Sequence, residues 1–223
     1  MDVDEAIRLR RSVRQFTDRP VPDEDLDAIM RLALLAPNGG GAQAWSLLVV
    51  RDPDKRRQLT DIVVDGGARY FSAARPPAEG RSPAEHAAWA RHYAETALST
   101  YPNVPVWIAG LVVPRAQSQF PEEWRRVGDL ADVSSVGFAM ENLFVAARAR
   151  GLGTVATVFH LFEEERFRAL FDLPPEIEAP IITPLGYPVE FPKGLPPAIA
   201  AARRPWRSLV HDDRWGNARA AAS

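Results

Sequence analysis

The segment Arg10-Arg11-Ser12-Val13-Arg14 concentrates three guanidinium groups and a hydroxyl within five residues. Guanidinium forks bind phosphate oxygens bidentately, and a hydroxyl beside them can serve the polar edge of a ring. Spacing alone leaves two readings open: a clamp for a phosphorylated ligand, or a solvated basic turn. Other chemistries are poorly supplied. The chain has no cysteine, which excludes disulfides, thiolate catalysis, zinc–thiolate sites and iron–sulfur clusters. Its four histidines are His86, His92, His160 and His211. None lies in a nucleophile elbow, and no His-Glu-x-x-His motif is present. His86 and His92 fall on a helix expected to be solvated. A hydrolase driven by side chains is therefore not expected, and a bound cofactor is the better candidate for the chemistry. Gly151-Leu152-Gly153-Thr154-Val155-Ala156 formally fits the dinucleotide pattern G-x-G-x-x-G/A. It follows a helix and enters a strand, however, the reverse of the order that seats a pyrophosphate on a helix N-terminus.

Several blocks resemble one family in order along nearly the whole chain. Arg10-Arg11-Ser12-Val13-Arg14-Gln15-Phe16 resembles the Arg-Arg-Ser-x-Arg-x-Phe opening of the nitroreductase family. Val21-Pro22 leads to a helix that runs out at Ala36-Pro37, and residues 38–45 resemble the family's Asn-x-Gln-Pro-Trp loop. A long helix ending in Gly151-Leu152-Gly153-Thr154 follows, then Leu173-Pro174, then Thr183-Pro184-Leu185-Gly186-Tyr187-Pro188. Arg203-Arg204-Pro205 resembles the family's basic-Pro ending. Two departures stand out. The loop has Gly41 and Ala44 where the family often has Asn and Pro, and residues 154–158 lack the Pro-x-x-Gly of some relatives.

The resemblance implies an FMN-dependent oxidoreductase in which the flavin carries the chemistry and no side chain is catalytic. Arg10, Ser12 and Arg14, with Arg11 nearby, are expected to hold the FMN phosphate, ribityl chain and pyrimidine edge. Arg203 and Arg204 are expected to reach the phosphate from the tail. Pro37, Asn38, Gly39 and Gln43 are expected to cover the ring from the other subunit. Thr154, Ala156, Thr157 and Val158 are expected along the flavin, with backbone of residues 156–158 facing N5. NAD(P)H, either NADH or NADPH, is the implied donor, and a nitroaromatic or quinone the implied small-molecule acceptor, in ping-pong turnover. Alternatives on the same scaffold are a dehalogenase, a flavin-consuming oxygenase, a biosynthetic dehydrogenase, or a flavin-binding protein without turnover. A flavin clamped from two chains implies a homodimer, with the tail from about residue 192 extending onto the partner.

The elements that must position these residues follow from pattern. Asp2 and Glu5 are spaced as a cap and its partner ahead of a short first helix. A second helix starts after Pro22 on three acidic residues. Residues 45–50 read as a strand, 54–64 as a helix, 66–83 as a Gly- and Pro-rich loop and 84–98 as a helix. The strongest strand candidate spans 104–113. The longest helix spans 129–150, with Val133, Val136, Gly137, Met140, Leu143, Phe144 and Ala147 as a continuous apolar stripe that could face the core, a partner, or both. Residues 154–159 and 179–185 read as strands around a helix at 163–171. The expected fold is α+β: a small mixed sheet packed by helices, with a long central helix, in one domain of 223 residues. Tyr70, Phe71, Trp89, Tyr93, Phe120 and Trp124 are candidates for an acceptor lid. Net charge is −2, which gives no reason to expect nucleic acid or an anionic membrane. Of the 27 basic residues only Lys55 and Lys193 are lysines. The N-terminus has no signal-peptide apolar core and no run approaches a membrane span of about 18 apolar residues, so a cytoplasmic protein is expected.

Overall fold

The computed structural model describes residues 1–113 and 121–220. By backbone contacts the chain divides into one unit from Met1 to Phe191 and a second from Pro192 to Ser223. The first unit holds a four-stranded sheet of β1 (Trp45–Val50), β2 (Val106–Val112), β3 (Gly153–Thr154) and β4 (Glu178–Gly186), in the order β1-β2-β4-β3. Its three ladders are antiparallel, and a parallel pairing enters as an isolated bridge, Ser12 to Thr154. β2 is buried along its whole length. Alternate side chains of this strand serve two cores. Val106, Ile108 and Val112 join α2 (Asp23–Ala33) and α5 (Arg125–Ala149) on one face. Trp107, Ala109 and Leu111 join α3 (Pro53–Ala74) and α6 (Glu164–Leu170) on the other. A strand covered on both faces must read as an unbroken apolar run, which is why this one was the easiest to see.

The helices begin where their caps dictate. The Asp2 carboxylate accepts from the Glu5 amide at 2.8 Å and opens α1 (Val3–Leu9). Ser82 and Glu85 form a reciprocal capping box at the start of α4 (Pro83–Ala97). α3, in contrast, runs ten residues past its expected end at 64, through Gly66 and Gly67 to Ala74. The glycines permit close packing instead of ending the helix. A Cβ on Gly66 would lie 1.9 Å from the Phe159 carbonyl oxygen. α5 ends in a Schellman motif, with Gly151 at φ +74° and the Leu152 amide donating to the Ala147 carbonyl at 2.9 Å.

Val136, Met140, Leu143, Phe144 and Ala147 of α5 are buried, whereas Val133 and Gly137 lie on its outer side. The stripe therefore splits between core and surface. The helical stretch Glu122–Ala149 is long and apolar enough for a membrane span by length and composition alone, and half of its most apolar window is buried inside the subunit. Such a helix is apolar because it lies against a sheet and a second helix at once. The tail unit contains α7 (Pro197–Ala202) and a short 3-10 turn, Trp206–Leu209.

Candidate functional site

After α1 the chain turns extended at Arg10, whose φ and ψ are −60° and 129°. The next residues run beside β3 and then beside the end of β4. Val13 donates its amide to the Thr154 carbonyl at 2.9 Å, Thr17 donates to Tyr187, and Val189 donates to Gln15. Thr100 adds a clamp from the loop after α4: its hydroxyl accepts from the Phe16 amide at 2.9 Å and donates to the Arg14 carbonyl at 3.3 Å. The approach is close. A Cβ on Gly153 would lie 2.8 Å from Val13, and one on Gly186 would lie 2.9 Å from Pro105. Gly153 thus serves the arginine segment, Gly186 admits Pro105 with Phe16 beside it, and Gly151 closes α5, so the Gly151-Leu152-Gly153 pattern joins a helix to a strand.

Within this segment Val13 and Phe16 are buried anchors, which leaves Arg14 exposed and Arg10, Arg11 and Ser12 half-buried. Arg10 lies 3.4 Å from Glu141 of α5. Arg11 is drawn to backbone, donating to the carbonyls of Arg8 and Arg10, and its Nε is buried with no partner. Arg14 makes no ion pair with the acids of the described residues. Its charge reaches the buried Tyr101: burial pushes that phenol well above its ordinary value, and Arg14 pulls back. Residues 154–158 follow on the same side. Thr154, Val155 and Thr157 are buried, and Ala156 and Val158 face outward. The structure brings the 10–14 and 154–158 groups together along one bridge, Ser12 to Thr154. The unpaired charge of Arg14 and the partly engaged guanidinium groups of Arg10 and Arg11, beside an exposed strand edge, can hold a phosphate and a flat polar ring.

The remaining expected residues belong to the 37–43 loop and to the tail unit. In the 37–43 loop, Asn38 Oδ1 accepts from the Gln43 amide at 2.8 Å, and Gln43 adopts φ 50°. Gly39 donates to Ser135 of α5 at 3.4 Å. These hydrogen bonds of the loop run to itself and to α5. Pro37 and Gln43 are exposed, and Asn38 and Gly39 half-buried. Arg203 and Arg204 are both exposed in the tail unit.

Of the aromatic candidates, Tyr70, Phe71, Trp89 and Tyr93 form one cluster with Phe159 and Phe162. Ring centroids are 5.3 Å apart for Tyr70–Phe159 and 4.8 Å for Phe71–Tyr93. Arg75 sits over Tyr93 and donates to its hydroxyl at 3.1 Å. Trp124 is exposed, and Phe120 lies outside the described residues.

One histidine departs from the expected solvated role, and a second is buried. His86 is buried and bonds the Ser72 carbonyl at 3.0 Å, because α4 folds back on the extended end of α3. His160 is fully buried, with Nε2 2.7 Å from the Ala179 carbonyl, and burial pushes its pKa below the ordinary value. Thr100 carries no signal in the sequence, and Thr183 is visible there only as part of the Thr183–Pro188 block, without its role. Each acts through a contact distant in sequence, and a single threonine carries no periodic signal. Among the described residues no cluster of His, Asp or Glu is arranged to hold a metal ion.

Comparison with known proteins agrees with this geometry. The family model described as "Nitroreductase family" matches residues 7–187. A "Putative NADH dehydrogenase/NAD(P)H nitroreductase" of Methanothermobacter thermautotrophicus is 27% identical over 194 residues, covering 86% of this chain and 80% of the relative. An iodotyrosine deiodinase of Nematostella vectensis is 27% identical over 188 residues, covering 83% and 66% respectively. In fold, the chain is similar to the NADPH:FMN oxidoreductase of Vibrio harveyi, with a TM-score of 0.70 and 20% identity over 96% of this chain and 77% of that one. With the arginine segment and the glycine contacts at Gly153 and Gly186 lying inside the matched span, the chain belongs to the nitroreductase family.

Proposed function

We propose that this protein is an FMN-dependent NAD(P)H oxidoreductase that reduces electron-poor acceptors such as nitroaromatics or quinones, working as a homodimer. The observation that carries the reading is the Ser12–Thr154 junction, which sets Arg11 and Arg14, neither of them in an ion pair among the described residues, beside the outward edge of residues 154–158. The residues suit a flavin phosphate. Arg11 Nε is a buried donor lacking an acceptor, and Arg14 carries a charge that the subunit's described acids leave unpaired. FMN held by Arg10, Arg11, Ser12 and Arg14 would supply hydride-transfer chemistry between NAD(P)H and the acceptor in ping-pong turnover.

The chain's own part is binding, orientation and charge. Arg10, Ser12 and Arg14, with Arg11, hold the phosphate, ribityl chain and pyrimidine edge, and Arg14 favours negative charge on that edge. Thr154 and residues 156–158 line the ring. Pro37, Asn38, Gly39 and Gln43 serve the site of the partner subunit. The whole chain is assigned to one FMN-binding domain, whose tail from about residue 192 reaches the partner and brings Arg203 and Arg204 to the phosphate. No buried acid–base pair is required, in keeping with histidines committed to backbone carbonyls.

The deiodinase relatives favour reductive dehalogenation as a second reading on the same site. The deciding experiment is the visible spectrum of the purified protein, then anaerobic reduction by NADH and by NADPH in stopped flow. Reoxidation by a quinone, a nitroaromatic or an iodinated phenol follows. Yellow protein reduced fast enough to support turnover, and reoxidised by the first two, is expected. Reoxidation by the iodinated phenol alone selects the second reading. A colourless protein that takes up no FMN sinks both.

A further inference from the structure

We propose that Thr183 is a positioning residue whose buried hydroxyl sets the backbone edge presented by residues 156–158, an inference that rests on the flavin reading above. β3 meets β4 through Gly153 with Gly186 and Thr154 with Leu185, and the same register returns at Thr157 with Ile182. Thr157 and Ile182 exchange both backbone hydrogen bonds, at 3.0 and 3.1 Å. In an antiparallel ladder such pairs recur at every second residue, so the next one falls on Val155 and Pro184. Proline has no N–H to give. The Val155 amide donates instead to the Thr183 hydroxyl at 3.1 Å, and that hydroxyl donates to the Pro184 carbonyl at 2.8 Å. One side-chain oxygen therefore stands between an amide and the carbonyl it would otherwise meet.

The ladder is thus pinned at both ends and held open in the middle by a hydroxyl. Thr183 is 0% exposed, so solvent has no access to take its place. In this register the residue opposite Thr183 is Ala156, and Ala156 faces outward. The displacement is passed directly to the strand edge assigned to the flavin. His160 fixes the far side, its bond to the Ala179 carbonyl preventing the open stretch from closing by a slip along β4. Serine at 183 keeps the relay. Valine keeps the shape and loses the oxygen. Alanine at 184 restores the missing N–H and lets the ladder close.

The test compares FMN-loaded wild type with T183V, T183S and P184A, measuring FMN Kd by fluorescence and the flavin midpoint potential by equilibrium reduction. T183V and P184A are expected to raise the Kd about three- to tenfold, the scale of one hydrogen bond's net worth, and to move the midpoint potential. T183S should match wild type in both. P184A leaves every buried partner in place, so it carries the test if T183V does not fold. Unchanged affinity and potential in the variants that fold overturn the role of Thr183 while leaving the flavin reading intact. A wild type that binds no FMN overturns that reading itself.

Discussion

Three arginines share one short segment, and their surroundings divide the labour among them. Arg10 is partly neutralised by Glu141, and Arg11 is spent largely on backbone carbonyls. Arg14 keeps its charge, held in place by its carbonyl on Thr100 rather than by its side chain. Arg14→Ala should therefore do the most electrostatic damage. We expect FMN binding to weaken by about 1.5–3 kcal/mol, the range for a charge-assisted contact, and the flavin midpoint potential to fall. Fluorescence titration and equilibrium reduction measure both. An unchanged potential would mean that another cation serves the ring. His160 makes a separate prediction through pH. Its folded-state pKa is lowered, chiefly by burial, against the opposing influence of the Ala179 carbonyl and Glu164. Above the ordinary value of about 6.5 both folded and unfolded forms are neutral. Below it the unfolded chain takes up a proton that the native chain refuses, so stability declines as pH falls toward the folded-state pKa. His160→Gln should flatten the dependence of the urea midpoint between pH 7.5 and 5.5. A variant as acid-sensitive as wild type in that window would place the sensitivity elsewhere.

At the level of elements, what could be read from the sequence was whatever is local. Asp2 with Glu5, the acids after Pro22 and the apolar run of β2 each carry their signal within a few residues, and each element formed where its signal lay. The end of α3 carried a misleading one. Gly66-Gly67 and the Pro-rich stretch beyond suggest a loop, while the helix needs glycine there because Phe159, over ninety positions away, crosses its backbone. The β-branched run at 154–159 reads as a strand, yet only Gly153 and Thr154 form one, because Pro184 on the neighbouring strand interrupts the ladder. The arginine segment was visible as chemistry. Its supports, Thr100, Gly153 and Thr183, were not, since their meaning lies in residues remote along the chain. The same logic gives a test. Gly153→Ala places a methyl 2.8 Å from the Val13 Cβ, so the Val13 backbone must move, and should cost about 1–3 kcal/mol. Gly66→Ala meets a backbone carbonyl at 1.9 Å and should cost more. Chemical denaturation ranks the two, and Gly153→Ala should in addition weaken FMN binding by pushing the arginine segment away from β3. Full FMN affinity in a destabilised Gly153→Ala protein would separate that contact from the site.

For the whole molecule, the outer side of α5 poses a physical problem that the second subunit would answer. Val127, Leu130 and Phe138 are 54, 56 and 51% exposed on this helix, and Val3 and Ile7 of α1 are 67 and 53% exposed. Leu35, at the end of α2 and leading into the 37–43 loop, is 76% exposed. Single apolar side chains at a surface need no explanation, but a row of them on a helix whose other side is core implies a covering partner. The loop expected to complete the flavin site rests on this same helix, through Gly39 and Ser135. Cover and site should therefore be lost together. Replacing Leu130 and Phe138 by glutamate puts charge into the proposed interface without touching the arginine segment or a buried residue. The double variant should elute as a monomer in light-scattering chromatography, and its FMN Kd should rise by two orders of magnitude or so, equivalent to about 3 kcal/mol. Circular dichroism should show the wild-type fold, since both side chains already stand in solvent in the single subunit. A variant that remains dimeric would show that association uses a different face. A folded monomer that binds FMN as tightly as wild type would show that one chain holds the cofactor unaided, and the assignment of residues 37–43 to the partner's flavin would then be wrong.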